Sequence, residues 1–182
     1  MARLNGEEFA GTGLRLVIVG GDGDPGRDAE RARLLALVEE LGIGARVDFK
    51  GPQPQPALPE YYRAADLCLV PSHHESFGMA ALEAMACGAA VVASRVGGLA
   101  TTIQDGVTGV LVPPRNSDAF ASVIASLLAD EPRRRALGRL AARWAQSFAW
   151  PSVTRALVDL YEDLVPDLRQ PRAAPVGVAA LV

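Results

Sequence analysis

Short apolar runs, separated by segments long enough to hold a helix, constrain the fold of this chain more than any other feature. Four such runs, rich in Val, Leu, Ile and Ala, occupy residues 14–19, 67–70, 90–93 and 110–112, and a further predicted strand at 46–49 is closed by the Gly51-Pro52 turn. Strands that are apolar throughout are typical of parallel sheets covered on both faces. Because the runs alternate with helix-period segments, we predict an α/β fold with a doubly wound parallel sheet.

The helix-period segments set the expected domain limits. Helices are predicted at residues 28–41, 60–65, 79–87, 117–128, 133–146 and 152–164. From Pro166 onward Pro, Ala and Gly occur without periodicity, which is typical of a disordered tail. We therefore expect a truncated lead-in at residues 1–13, one domain at residues 14–165 and a disordered tail at residues 166–182.

Composition excludes several classes of function. The chain has 182 residues, a net charge of -3, 21% charged and 49% hydrophobic residues. This balance indicates a globular protein and gives no support to a nucleic-acid or anionic-membrane surface. Cys68 and Cys87 lie in apolar runs, which favours free thiols in a reducing compartment. No segment resembles a signal peptide or a transmembrane helix, so we expect a cytoplasmic protein.

A glycine pattern after the first strand has two interpretations. Gly21 to Gly26 match G-x-G-x-x-G between a strand and a helix, and Asp48 follows near the distance expected of a ribose-binding acid. This pattern favours NAD-type dinucleotide binding. However, Asp22 and Asp24 would bring negative charge to the pyrophosphate, and Pro25 lacks an amide donor. A tight turn is the preferred interpretation, and NAD binding remains the alternative.

The segment at residues 71–88 carries the most chemical information. A buried strand ends at Pro71, a polar loop follows, and a helix begins near Gly78. The free amides and the positive end of the helix dipole at such a start attract anions. Since Gly78 permits close approach of the backbone, a diphosphate can rest against the amides of Gly78, Met79 and Ala80.

Ordinary structural explanations exist for each residue of this segment. A loop glutamate such as Glu75 is usually solvated, and Ser76 before a helix is usually a cap. Glu83 can simply face solvent, and Phe77 and Met79 are expected in the core in either interpretation. Leu82 and Met85 share that expectation.

The residues together form a pattern that is more specific than any of its members. Two glutamates separated by seven residues, around S-F-G and followed by A-C-G and a buried strand, resemble the E-x7-E motif of family 4 retaining glycosyltransferases. The similarity extends through VDFKGPQPQPALPEYYRAA at 47–65, AVVASRVGGL at 90–99 and DGVTGVLVPP at 105–114. It covers roughly residues 14–164 and implies a Rossmann-like nucleotide-sugar-binding domain, the C-terminal lobe of a GT-B enzyme.

The resemblance also implies roles for individual residues. Glu75, the expected catalytic residue, contacts donor-sugar hydroxyls and positions the sugar rather than acting as a base. Glu83 hydrogen-bonds the ribose, and the backbone near Lys50 faces the base. The loop and helix start around the sugar and diphosphate are formed by Ser76, Phe77, Gly78, Met79 and Ala80. Neither His73 nor His74 receives a role, because chemistry in this fold needs no metal or other cofactor.

The chain departs from the family pattern at its start. Nothing before Leu14 resembles the G-R-x-x-x-x-K segment whose cations meet the diphosphate in the family, and we expect the acceptor-binding lobe to be missing. We therefore expect the donor-binding half of a hexosyltransferase, inactive alone and prone to self-association through exposed apolar surface. A UDP-sugar is the expected donor, with GDP- and ADP-sugars open, and the VGGL element resembles enzymes with inositol-type or sucrose-phosphate-type chemistry. A non-catalytic nucleotide-binding partner module is a further alternative.

Overall fold

The computed structural model describes residues 13–20 and 25–165, and for residues 25–28 the backbone alone. The predicted tail at 166–182, nearly all of the lead-in and the glycine turn at 21–24 lie outside these ranges. The strands are β1 (Leu16–Val19), β2 (Val47–Gly51), β3 (Leu67–Val70), β4 (Ala90–Ser94) and β5 (Val110–Val112). The α-helices are α1 (Pro25–Glu40), α2 (Leu58–Ala64), α3 (Met79–Ala86), α4 (Leu99–Thr102), α5 (Ser117–Ala129), α6 (Glu131–Ala145) and α7 (Trp150–Leu164). Short 3-10 turns lie at Gly44–Arg46, Gln55–Ala57 and Gln146–Phe148.

All strand pairs described are parallel, as predicted, but they form two sheets. Strands β1 and β2 pair with Leu16 opposite Val47, and β3, β4 and β5 pair in that order. A Rossmann sheet has the strand order 3-2-1-4-5-6. If β1 and β2 correspond to strands 2 and 3 of that order, β3 to β5 correspond to strands 4 to 6. Strand 1 of that order then lies between the two groups. None of the described strands occupies that position, which accounts for the division into two sheets.

Strand β4 is the centre of the core, because all five of its residues are buried. Alternate side chains point to opposite faces of a strand. Val92 packs with residues of β5 and α5, including Leu127, whereas Val91 packs with residues of α3 and α6, including Met85. Helices therefore cover both faces of the three-stranded sheet. Since ligands of such sheets bind beyond the carboxyl ends of the strands, the loops at those ends are where a site is expected.

The chain divides into two compact units after Ala145. The first contains β1 to β5 and α1 to α6. Within the second, α7 buries none of its residues and carries an apolar stripe. The described ranges contain no helix that combines the length and apolar character needed to cross a bilayer.

Candidate functional site

The loop between β3 and α3, residues 71–78, is the candidate site and is called the site loop below. It follows the carboxyl end of β3 and ends at Gly78, where φ is +92°. Residues with side chains rarely adopt that conformation. A Cβ at Gly78 would also lie 2.7 Å from Leu99 Cδ2. Both constraints require glycine, and the predicted helix start at this residue is confirmed.

A pair of glycines on the neighbouring loop holds the site loop from behind. Gly98 donates its amide to the Glu75 carbonyl at 2.9 Å. A Cβ on Gly97 would lie 2.1 Å from the Glu75 carbonyl oxygen, and one on Gly98 would lie 2.2 Å from that of Ser76. Side chains at either position would therefore displace the site loop. We call Gly97 and Gly98 the diglycine support.

Thr102 adds a third point of attachment. Its hydroxyl, on a side chain that is 1% exposed, donates to the Phe77 carbonyl at 2.8 Å. The Trp144 indole donates to the Thr102 carbonyl at 2.8 Å, which fixes the end of α4 in turn. No role was predicted for Gly97, Gly98, Thr102 or Trp144, although the VGGL element at 96–99 belongs to the segment that resembles the family.

The Glu75 side chain turns back onto the start of α3. Its Oε1 accepts a hydrogen bond from the Gly78 amide at 3.1 Å. The partial positive charge at a helix start stabilises a carboxylate in this place. The Gly78 amide, predicted to contact a diphosphate, is thus engaged by Glu75 in this structure. Met79 and Ala80 lie in the first turn, whose amides have no acceptor within an α-helix.

Glu83, one turn further along α3, is held by a residue of α2. The Tyr62 hydroxyl donates to Glu83 Oε2 at 3.1 Å. Burial raises the pKa of Tyr62 well above its usual range, and the negative charge of Glu83 raises that pKa further. Tyr62 therefore stays protonated and donates at all physiological pH values. Tyr62 is not among the predicted site residues, because no local pattern links it to a residue 21 positions away.

Lys50 belongs to β2, in the two-stranded sheet. Its Nζ lies 2.7 Å from Asp48 Oδ2, and this hydrogen bond and the charge of Asp48 raise the pKa of Lys50. The Lys50 carbonyl accepts from Gln53 Nε2 at 2.8 Å, which fixes the turn after β2. Asp48, the ribose acid of the NAD alternative, is therefore paired with Lys50.

Two apolar residues of the site differ from the expectation. Phe77 and Met79 are 41% and 56% exposed, so their predicted place in the core was wrong, whereas Met85 is fully buried. Leu82 is half-buried and packs against the core. The physical reason is that Phe77 and Met79 flank Gly78 at the junction of loop and helix, where Gly78 itself faces the core. The site thus presents apolar surface beside its polar groups.

No metal centre is formed within the described ranges, where no three His, Cys, Asp or Glu residues are grouped as ligands. His73 and His74 are exposed on the site loop. Cys68 and Cys87 are both free thiols, and burial raises the pKa of Cys68 to about 11.

A parallel α/β sheet with a helix start and two glutamates after one of its strands has the arrangement that the resemblance to family 4 glycosyltransferases implies. Residues 3–144 match the family model for glycosyl transferases group 1. The chain belongs to this family, and the predicted family is confirmed.

Curated relatives are similar over most of this chain but are much longer. The D-inositol 3-phosphate glycosyltransferase of Thermobispora bispora is 44% identical over 164 residues, which cover 90% of this chain and 38% of the relative. The enzyme of the same name from Mycobacterium avium is 46% identical over 150 residues, 82% of this chain and 35% of the relative. The chain thus spans somewhat over a third of these relatives.

Solved structures confirm the predicted fold class. Sucrose-phosphate synthase from Thermosynechococcus elongatus superposes with a TM-score of 0.75 and 42% identity, over 84% of this chain and 39% of that one. HepE from Anabaena in complex with UDP gives a TM-score of 0.76 and 28% identity, over 82% and 41%. HepE in complex with UDP-glucose gives 0.73 and 27%, over 82% and 41%.

Proposed function

We propose that this chain is the donor-binding half of a retaining glycosyltransferase that transfers a hexosyl group from a UDP-sugar. The observation that carries the proposal is the placement of Glu75 and Glu83 on either side of the first turn of α3. Glu75 lies before the turn and bonds the Gly78 amide, and Glu83 lies after it and bonds Tyr62. A diphosphate against the helix start would have one carboxylate toward the sugar and the other toward the nucleoside.

Three kinds of contact support this assignment. The amides of Met79 and Ala80 lie in the first turn of α3, where a diphosphate is stabilised by free N–H groups and the helix dipole. Phe77 and Met79 expose apolar surface that can cover a sugar or a base. Ser76 is also exposed on the site loop. A bound donor would compete with Glu75 for the Gly78 amide, so Glu75 would rotate toward the sugar hydroxyls.

The uridine base is proposed from the structural neighbours. HepE, 28% identical to this chain, binds UDP and, in a second complex, UDP-glucose. In this chain the turn at Lys50, fixed by Gln53, is the proposed contact for the base. The two free thiols support a reducing, cytoplasmic compartment.

The acceptor would be held by a preceding lobe, since the relatives extend well beyond the matched region. The names of those relatives favour an inositol phosphate as the acceptor class. In the proposed reaction the leaving diphosphate deprotonates the acceptor on the same face of the sugar, and configuration is retained. The protein positions the reactants and stabilises the leaving diphosphate without a metal or other cofactor.

The test is ligand-observed NMR of this chain with UDP, GDP, ADP and NAD. We expect UDP to bind and the binding to weaken at least tenfold in Glu83→Gln, because the ribose loses a charged acceptor. Glu40→Gln, an exposed glutamate on α1, is the matched control and should bind like the wild type. Preferential binding of GDP or ADP would show that the donor carries guanine or adenine in place of uracil. NAD binding that survives Glu83→Gln would contradict the proposed function.

Substitution of Glu75 should lower the rate of sugar transfer, whereas substitution of Glu83 should weaken nucleotide binding. Glu75→Gln is expected to lower kcat of the complete enzyme by about 100-fold, because the sugar loses a positioning contact, with nucleotide affinity nearly unchanged. Steady-state kinetics and UDP titration measure the two effects separately. A matching loss of UDP affinity would show that Glu75 acts in nucleotide binding instead.

A further inference from the structure

The Tyr62–Glu83 pair joins two helices at a point that the E-x7-E motif does not explain. The two oxygens, Tyr62 Oη and Glu83 Oε2, lie 3.1 Å apart and belong to α2 and α3. Among the described residues, this is the one side-chain hydrogen bond made to the Glu83 carboxylate. Glu83 itself is half-buried, so its carboxylate lies between the core and solvent.

Tyr62 is itself fixed in place. Its ring packs against the core cluster that contains Val70, Met85 and Val91. Because its pKa is raised by burial and by Glu83, the hydroxyl stays a donor and cannot become a competing anion. A rigid ring with a protonated hydroxyl orients a flexible carboxylate in one direction.

The Glu83 carboxylate can accept further hydrogen bonds besides the one from Tyr62. An ionised carboxylate has two oxygens and about four lone-pair sites. With Oε2 held by Tyr62, Oε1 is left for a ligand that brings donors, such as a vicinal diol. Because the Glu83 carboxylate is already oriented before a ligand binds, less conformational entropy is lost on binding.

We infer that Tyr62 is a positioning residue for ribose recognition, which holds Glu83 in the orientation that accepts the ribose hydroxyls. The inference rests on the proposed function of Glu83. It adds a residue of α2, outside the E-x7-E segment, to the nucleotide site. A purely structural Tyr62–Glu83 bond would stabilise the packing of α2 on α3 without affecting which sugars bind.

The experiment compares UDP with 2′,3′-dideoxyuridine diphosphate, which lacks both ribose hydroxyls. Dissociation constants are measured for the wild type, Tyr62→Phe, Glu83→Gln and the double variant. We expect Tyr62→Phe to weaken UDP binding about three- to tenfold and to leave the dideoxy ligand unchanged. In the Glu83→Gln background the same change should have no further effect. Tyr61→Phe, one residue earlier on α2, is the control and should match the wild type.

The outcomes separate this inference from the proposed function. A wild type that binds no nucleoside diphosphate would contradict both, and one that binds UDP without distinguishing it from the dideoxy ligand would overturn this inference alone. Loss of discrimination in Glu83→Gln but not in Tyr62→Phe would overturn this inference alone. An equal loss for both ligands in Tyr62→Phe would assign Tyr62 a structural role and overturn it as well. Because Tyr62→Phe keeps the ring that packs in the core, binding of the dideoxy ligand also reports that the variant is folded.

Discussion

At the residue scale, the diglycine support shows how a site is positioned by groups that never touch a ligand. Gly98 has an ordinary backbone conformation, so a side chain is excluded there only by contact: its Cβ would lie 2.2 Å from the Ser76 carbonyl oxygen and 2.5 Å from Phe77 Cα. Both neighbours are backbone atoms, which cannot rotate away. The site loop would have to move as a whole.

We therefore predict that Gly98→Ala destabilises the protein by about 1–3 kcal/mol, the usual cost of overpacking, and weakens UDP binding. Gly44→Ala is the matched control, because the nearest side-chain atom to its Cβ would lie 3.9 Å away. The control should change stability by less than about 0.5 kcal/mol. Urea unfolding measures both variants. Equal free energies of unfolding for the two variants would show that the site loop moves to make room for the added methyl group without loss of stability.

Cys68 gives a prediction about alkaline pH. Burial raises the pKa of its thiol to about 11, from about 9.0 when exposed. Between these values the unfolded thiol ionises and the folded one does not, so stability falls as pH rises from 9 to 11. Wild type should lose up to about 1.4 kcal/mol per pH unit more than Cys68→Ala over this window. Parallel pH profiles of urea unfolding for the two proteins would contradict the raised pKa.

The sequence was informative about some residues of the site and silent about others. The E-x7-E spacing identified Glu75 and Glu83 as candidates, and their roles in binding remain predictions. Tyr62 and Thr102 act through contacts across 21 and 25 positions. No local pattern encodes such distances. Phe77 and Met79 were assigned to the core on hydrophobicity alone, which does not show where Gly78 turns the chain.

At the element scale, Arg134 connects three segments of the first unit. Its guanidinium donates to the carbonyls of Leu127 and Leu128 at the end of α5, at 2.9 and 3.2 Å, and pairs with Asp66 before β3 at 2.9 Å. The Arg134 side chain is only 14% exposed. Its neighbour Arg135 pairs with Glu131 at the surface and is 71% exposed.

Arg134→Met should accordingly cost roughly 1.5–3 kcal/mol, because it leaves helix-end carbonyls without their charged donor. Arg135→Met, on the same helix, should cost less than about 0.5 kcal/mol, since exposed ion pairs contribute little. Thermal or urea unfolding of both variants checks the difference. Similar costs for the two would mean that water replaces Arg134 at the end of α5.

Most elements were predictable from the sequence because their signals are local. Strands β3 and β5 have the predicted bounds, and α3 differs from its prediction by one residue. Helix α1 begins three residues earlier than predicted, at Pro25, because proline is favoured in the first turn of a helix. Helix α4 was missed because its four residues are too few to show a period. The division into two sheets was not predicted, because strand pairing depends on distant segments.

At the scale of the whole molecule, the second unit carries an unburied apolar stripe. Trp150, Val153, Leu157, Tyr161 and Leu164 recur at helical spacing along α7, and Trp150 is 82% exposed. Exposed apolar patches of this kind mark surfaces of association. The sequence predicted this helix, but it placed the apolar surface expected to drive self-association on the cleft side of the domain.

We predict that the chain self-associates through this stripe as its concentration rises. The double change Leu157→Gln and Leu164→Gln should yield a monomer, because it removes apolar area from the stripe. Ala156→Gln is the control and should associate like the wild type. Light scattering after size exclusion, over a range of concentrations, gives the masses. A monomeric wild type at every concentration would contradict the prediction.

The diglycine support has a consequence for protein engineering. Gly97 and Gly98 approach main-chain atoms of Glu75, Ser76 and Phe77, and the Thr102 hydroxyl bonds the Phe77 carbonyl beside them. Of the loop's side chains, Glu75 bonds the Gly78 amide, whereas His73, His74, Ser76 and Phe77 are exposed, as is Met79 directly after the loop. A library intended to change the donor sugar can randomise these five positions on a fixed frame, provided that Gly78, Gly97, Gly98 and Thr102 are left unchanged.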